Sequence, residues 1–378
     1  MPSIPLKHKL KLFSNYIFAG KFKEIYNIIF WVYPFWWNHR LSAFLLNKLF
    51  PKLGIDLWPI FLEVEPTTIC NFRCVCCEHT YWKEPPKNMT FKEFKHIFDQ
   101  FKRPKWIGLT GIGSSYLNPD FHKMVRYAKS KGTIVELMDH FAHFKSEEQI
   151  KELLEIGPDF QFISTYGASK KSFEKVCVGS DYSLVEKNIK TFVRLKKQMK
   201  KRFPIINFHY IVTSESKDEL LGFLDFIHSL DIEIGEILVT PLLHDFNEAK
   251  KYAVTLEARY IEEVRKKAKR LNIPITINFL AYKEAEKLEK SPPFNYCKEY
   301  IMPFVFVTGD ITLCCGQNEA NQREWQKKTS PGNLFKNNLK EIWYSPKYKK
   351  IRKMIRQNKM PSECALCPAY KDCQGNPQ

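Results

Sequence analysis

The sequence predicts an α/β fold built on a parallel sheet, and three observations carry that reading. From about residue 58 to 285, short β-rich runs alternate with amphipathic helical ones. Six such β-α units follow one another, the order of a parallel sheet that is either open and doubly wound or a partial barrel. A chain of 378 residues, 44% hydrophobic and 26% charged, can bury a full core and should hold two or more domains. No short internal repeat or low-complexity tract competes with this pattern.

Taken in order, the first part, residues 1–57, is basic and aromatic. Phe18, Phe22, Ile25, Tyr26 and Ile29 recur at helical spacing beside Lys7, Lys9, Lys11, Lys21 and Lys23, the pattern of a helix lying on a membrane surface. The alternative is a core helix packed on the following domain, since the cluster Trp31, Tyr33, Phe35, Trp36, Trp37 suits a headgroup boundary and a core equally. The sequence disfavours a bilayer span: the longest uncharged run, Ile25 to Asn38, is shorter than the roughly 18 residues needed and contains Pro34.

The second part, residues 58–285, carries strand candidates Phe61 to Val64, Trp106 to Thr110, Ile134 to Met138, Phe160 to Ser164, Ile206 to Val212 and Glu236 to Thr240. Thr90-Phe91-Lys92-Glu93 forms a capping box ahead of Phe94, Ile97, Phe98 and Phe101, and Lys217 to Ser229 and Thr255 to Leu271 repeat the helical period. The third part, residues 286–378, has proline-bearing turns at Pro292-Pro293 and Pro331-Gly332 and a second group of cysteines, and reads as a small domain held by metal.

Charge and cysteine usage narrow the function classes. Eleven cysteines in a large chain with an odd count and no leader argue against a secreted disulfide framework and for a cytoplasmic protein whose thiols stay reduced for metal. The net charge of +18 favours an anionic partner, which could be nucleic acid, a lipid surface or an acidic substrate.

The stretch TTICNFRCVCCEHTYW places Cys70, Cys74 and Cys77 at x3 and x2 spacing just after the first strand, at the C-terminal mouth of the sheet. Three thiolates suit a soft metal site and leave one iron of a four-iron cluster without a protein ligand. A closed zinc site would recruit a fourth ligand from Cys76 or His79, but adjacent Cys76 and Cys77 would strain to reach one small ion.

On its strand, CNFRCVCC resembles the cluster motif of radical S-adenosylmethionine (radical SAM) enzymes, and the six β-α units resemble their partial (β/α)6 TIM-like barrel. The resemblance implies a [4Fe-4S] cluster on Cys70, Cys74 and Cys77 whose free iron chelates SAM, reductive cleavage to a 5′-deoxyadenosyl radical, and hydrogen abstraction from substrate. The position before the third cysteine is usually aromatic in the family; here it is Cys76. LTGIGSSYLNPDF is similar to the family's glycine-rich loop, which implies SAM contacts at Gly111, Gly113 and Ser114, with Ser114 standing where the family has Glu. FISTYGASKKSF resembles the segment that meets the SAM ribose or carboxylate, with Ser164 at the strand end, and Cys177 stands where Arg is expected.

The later cysteines, Cys297, Cys314-Cys315 and Cys364-x2-Cys367-x5-Cys373, with GNLFKNNLKEIW between, resemble the SPASM extension of radical SAM enzymes. That implies one auxiliary [4Fe-4S] cluster on Cys297, Cys314, Cys364 and Cys367; Cys315 could replace Cys314 or serve as a catalytic proton donor or acceptor. A zinc knuckle from Cys364, Cys367 and Cys373 is the rival.

The substrate is open among peptide, sugar and lipid-linked classes. An external electron donor such as flavodoxin or ferredoxin is implied, with peripheral contact on the inner face of the membrane a further expectation. Nucleic acid is disfavoured, because PKYKKIRKMIRQNK alternates Tyr348, Ile351, Met354 and Ile355 at helical spacing, as a docked helix with a solvated basic face would. The competing function is a non-catalytic iron-sulfur or zinc-binding scaffold at a membrane or on nucleic acid.

Overall fold

A computed structural model describes residues 13–242, 244, 246–277, 295, 297–314, 322–365 and 367. All six expected strands form: β1 Phe61–Val64, β2 Trp106–Leu109, β3 Ile134–Asp139, β4 Phe160–Thr165, β5 Ile205–Val212 and β6 Ile237–Pro241. Each pairs in parallel with the next. A further parallel strand, β7 Ile275–Ile277, extends the row beyond β6. The sheet is not closed on itself among the described residues, as in a partial barrel.

Register decides what each face carries. Leu62, Val64, Ile107, Leu109, Val135, Leu137, Phe208 and Tyr210 are fully buried on the outer face, under the helices. The inner face sets Glu63, Gly108, Glu136, Phe160 and Ile205 abreast, with Ser164, His209 and Leu238 in a row nearer the C-terminal ends. The helix Phe91–Gln100 begins at the Thr90/Glu93 capping box read from the sequence and buries Phe94, Ile97 and Phe98, each contributing about 2 kcal/mol of burial.

The N-terminal part crosses the opposite, N-terminal ends of the strands. It runs through short helices at 13–18, Phe22–Asn27 and His39–Phe44 and wider π-turns at Ile28–Trp37 and Leu45–Leu49. Tyr16 packs on Phe203, ahead of β5, with centroids 4.8 Å apart. Lys21 Nζ lies 3.1 Å from Asp159, just before β4, and Lys129 Nζ bridges Asp159 (2.6 Å) and Glu24 (3.0 Å). Asn27 Nδ2 donates to Gly132 O, ahead of β3, at 2.9 Å. The core alternative is realised for part of the segment: Tyr16, Ile28, Val32 and Phe35 are core, while Phe18, Phe22, Tyr26, Ile29, Phe30 and Tyr33 are exposed. No helix of the described residues is long and apolar enough to cross a membrane.

The third part grows from the same sheet. Its strand β8 Phe304–Val305 pairs in parallel with β1, and β9 Asp310–Thr312 and β10 Gly332–Asn333 continue outward antiparallel. The basic helix Pro346–Arg356 buries Tyr348, Ile351 and Ile355, as its spacing predicts. Arg352, 1% exposed, joins that core by pairing with Asp56 and stacking on Trp343 and Tyr348.

Candidate active site

The loop after β1 is fixed by its own hydrogen bonds before any ligand is considered. Thr67 Oγ1 accepts from Ile69 N (2.9 Å) and donates to Asn88 Oδ1 (2.6 Å), Thr80 Oγ1 donates to Cys74 O (2.6 Å), and Arg73 Nη1 donates to Cys70 O (2.9 Å). Tyr81 OH donates to Val75 O at 2.8 Å, and His244 Nδ1 lies 2.6 Å from Cys76 O. The two-residue strands Arg73–Cys74 and Cys177–Val178 pair antiparallel and set Cys74 opposite Cys177, whose thiol is hydrogen-bonded to Cys74. Such a frame holds thiols at fixed positions without metal.

Cys70, Cys74 and Cys77 are partly exposed, whereas Cys76 is fully buried and Cys177 nearly so. Burial first, and then the neighbouring Cys74, push the Cys77 thiol up; burial also holds Cys70 up, at about 12, against the Phe72 N–H that donates to its sulfur at 3.4 Å. Iron reverses that balance, because a bound cation stabilises the thiolate that burial disfavours. Cys76 instead hydrogen-bonds the buried Tyr166. Three partly exposed thiols on one loop are the donor type of a four-iron cluster with one open iron, while among the described residues no group of three or more His, Cys, Asp or Glu side chains is set closely enough to hold a metal ion.

The glycine loop after β2 has a packing reason for its composition. A Cβ on Gly113 would stand 2.5 Å from Thr67 O and 2.7 Å from Ile69 O, and one on Gly111 would stand 2.5 Å from Glu65 Cγ. Only glycine lets this loop lie against the cysteine loop. Ser114, 1% exposed, donates through Oγ to Asp139 Oδ2 at 2.7 Å, and Asp139 also accepts from the His140 and Phe141 N–H groups and meets His143 Nδ1 at 3.1 Å. Burial alone would raise the Asp139 carboxyl, but His140, His143 and these hydrogen bonds hold it well below the usual range. Ser164 ends its row on the inner face beside His209, whose Nε2 lies 2.9 Å from Thr240 Oγ1. Burial, then His244, hold His209 down to about 4, so its ring is neutral.

Sequence reasoning missed the residue that closes the mouth. Arg323, 4% exposed, comes from the third part, donates through Nη2 to Glu65 Oε1 at 2.6 Å and stacks over Trp82 and Phe306. Its backbone N–H donates to Glu78, next to Cys77. His79 Nδ1, Trp82 Nε1, His140 Nε2, His143 Nε2, His209 Nδ1 and two Arg323 nitrogens are buried around this mouth with no hydrogen-bond partner among the described residues. Buried polar atoms normally have partners, so this concentration fits a polar ligand such as SAM. A cavity of about 350 Å³ opens beside Cys70, lined by Thr68, Ile69, Arg73, His79, Thr80, Trp82 and Glu84.

The second cysteine group comes from three segments of the third part. Burial and then Glu299 and Cys367 push Cys297 up to about 12, and burial, then Cys297 and Cys367, raise Cys364. Cys367 N donates to Cys364 O at 2.9 Å. These thiols are neighbours, but among the described residues the group is not set closely enough to hold a metal ion. Asn47 of the N-terminal part steadies it by donating to Cys297 O at 3.2 Å. Cys315 and Cys373 lie outside the described residues, as do Lys7, Lys9 and Lys11.

Residues 64–227 match the radical SAM superfamily, and residues 297–368 match SPASM, an iron-sulfur cluster-binding domain. A tungsten-containing aldehyde ferredoxin oxidoreductase cofactor-modifying protein of Pyrococcus furiosus is 24% identical, covering 84% of this chain and 92% of that protein. Streptococcus suis SuiB bound to S-adenosylmethionine superposes with a TM-score of 0.60 at 17% identity over 97% of this chain and 83% of that one. SuiB bound to its precursor peptide SuiA gives 0.60 at 18% identity over 87% and 74%.

Proposed function

The chain is a radical SAM enzyme with a SPASM iron-sulfur domain, and from that premise we propose how its residues divide the work. It uses SAM, a SAM-binding [4Fe-4S] cluster and an auxiliary cluster. When bound, the first cluster supplies the electron that splits the sulfonium of SAM and yields the 5′-deoxyadenosyl radical that removes hydrogen from substrate.

In our reading Cys70, Cys74 and Cys77 hold that cluster, and Gly111, Gly113, Ser114 and Ser164 form the SAM cradle. The single observation behind it is that three thiols sit on one hydrogen-bonded loop beside buried polar atoms that have no partner among the described residues. Ser114 cannot replace the family's Glu as a carboxylate; instead it ties the glycine loop to Asp139, and backbone groups of the loop meet the SAM amino group. Arg323 seals the mouth from the side of the third part, excluding water from the radical. Cys297, Cys314, Cys364 and Cys367 would hold the auxiliary cluster, which when bound would supply an electron acceptor for a substrate-derived radical, and Cys315 would accept the proton that this oxidation releases.

The division into parts at 1–57, 58–285 and 286–378 belongs to the same proposal. The substrate is a peptide or a small molecule received at the mouth. The electron comes from an acidic carrier such as flavodoxin or ferredoxin, which the +18 chain attracts. The enzyme works in the cytoplasm, with peripheral contact to the inner face of the membrane through its N-terminal part. Anaerobic reconstitution followed by reduction with SAM tests the core of the reading: 5′-deoxyadenosine should form, and a reconstituted protein that holds iron but forms none would leave only an iron-sulfur scaffold.

A further inference from the structure

The groove at the N-terminal ends of the strands points to a surface that no part of the radical chemistry uses. Phe22, Lys23, Tyr26, Arg103, Lys105 and Lys131 line a cavity of about 370 Å³, with Asn27, Pro104 and Gly132 at its floor. It has four cations and no carboxylate. Lys102 and Arg103 turn outward through consecutive left-handed backbone positions, φ 54° and 67°, that side chains other than glycine rarely adopt. Phe22 is 71% exposed and Tyr26 51%, and the same stripe continues through Phe18, Ile29, Phe30 and Tyr33. Among the described residues, most exposed large apolar side chains lie in this N-terminal part, so the patch is concentrated, not scattered.

We propose that this face docks on an anionic phospholipid bilayer, the aromatic stripe entering the headgroup boundary and the groove of Lys23, Arg103, Lys105 and Lys131 receiving a lipid phosphate. The proposal deepens the peripheral membrane contact assigned above and rests on it. A bilayer fits better than a protein partner because apolar rings and cations share one rim, the pairing that an anionic lipid interface satisfies at once. The geometry also sets an orientation. Lys105 precedes β2 and Gly132 precedes β3, whereas Cys70 and Gly111 follow β1 and β2, so the docking face and the mouth lie at opposite ends of the barrel. The catalytic mouth faces the aqueous side, and the enzyme sits on the membrane without drawing its substrate from it.

The test uses the full-length protein and flotation with vesicles of phosphatidylcholine alone or mixed with phosphatidylglycerol. Wild type should float with the mixed vesicles only. R103E/K131E should weaken that partition by about 25-fold or more, since each Lys or Arg near an anionic surface contributes about fivefold. F22S/Y26S should weaken it at low and high salt alike. Iron content and SAM cleavage without vesicles should match wild type in both variants, which shows that they fold. Wild type that ignores mixed vesicles overturns the membrane contact itself. Wild type that floats while R103E/K131E and F22S/Y26S float equally well keeps the contact and overturns this groove. A shift from dimer to monomer in F22S/Y26S without lipid would make the face an interface between copies, and R103E/K131E losing affinity for an oligonucleotide but not for vesicles would assign it to nucleic acid; either result overturns the proposal.

Discussion

The two cysteine sites are built in contrasting ways. Cys70, Cys74 and Cys77 belong to a single loop whose shape is set by local bonds such as Thr80 to Cys74 and Arg73 to Cys70. Cys297, Cys314, Cys364 and Cys367 come from segments far apart in the chain, one of them steadied by Asn47 of the N-terminal part. As proposed, the first set would hold a cluster with one open position. The second would act as a clasp, whose closure joins three segments and contributes to stability as a cross-link does. Local construction serves chemistry, and long-range construction serves the fold.

The sharpest way to break the comparison is to remove the first set. Cys70→Ala/Cys74→Ala/Cys77→Ala should abolish 5′-deoxyadenosine formation and remove about half the iron, while the unfolding temperature changes little. A large fall in thermal stability would show that the loop is a clasp too. Cys364→Ala/Cys367→Ala should do the reverse, with 5′-deoxyadenosine still formed, substrate product lost and the unfolding transition lowered by several degrees in a thermal melt.

Arg323 sharpens the contrast because it ties the third part to the mouth. Arg323→Ala leaves Glu65 buried without its partner and should cost about 3 kcal/mol in denaturant titration. A cost near zero would mean that the two parts meet without it. The smallest effect expected is on pH dependence. His209 is held down to about 4 by burial, against an ordinary value of 6.5, so below pH 6.5 the unfolded chain takes up a proton that the folded chain refuses. Stability from this group is complete above 6.5, falls as pH drops toward 4 and levels off below. His209→Gln should flatten that window in pH-dependent melts, and an unchanged slope would place the sensitivity elsewhere.

The strands were legible because each is a run of β-branched and aromatic residues bounded by turns, and the capping box at Thr90 is a local code. Ile275–Ile277 was too short to register as a strand, and nothing near Phe304 says that it pairs with β1 far upstream. The cysteine spacings were legible for the same local reason. Asp139, Tyr166 and Arg323 were not, since each acts as a single residue whose partner is remote: Ser114, Cys76 and Glu65. Asp139 did leave one trace, a carboxylate ending an apolar strand at the mouth. The N-terminal part left two alternatives open, because an apolar period cannot say which of two apolar sides meets the barrel.

The pairing of β8 with β1 also orders events during synthesis. Glu63 N–H donates to Pro303 O at 3.0 Å and Glu65 N–H to Val305 O at 2.9 Å, so the outer edge of the first strand has its partner only after residue 305 leaves the ribosome. At roughly 5–20 residues per second, the intervening chain takes on the order of 10–50 s to emerge. Over that interval the nascent barrel presents an open strand edge next to an unsealed cysteine loop, since Arg323 arrives later still. The interval in which the chain is most prone to edge-to-edge association is thus also the one in which the loop of Cys70, Cys74 and Cys77 lacks the Arg323 seal.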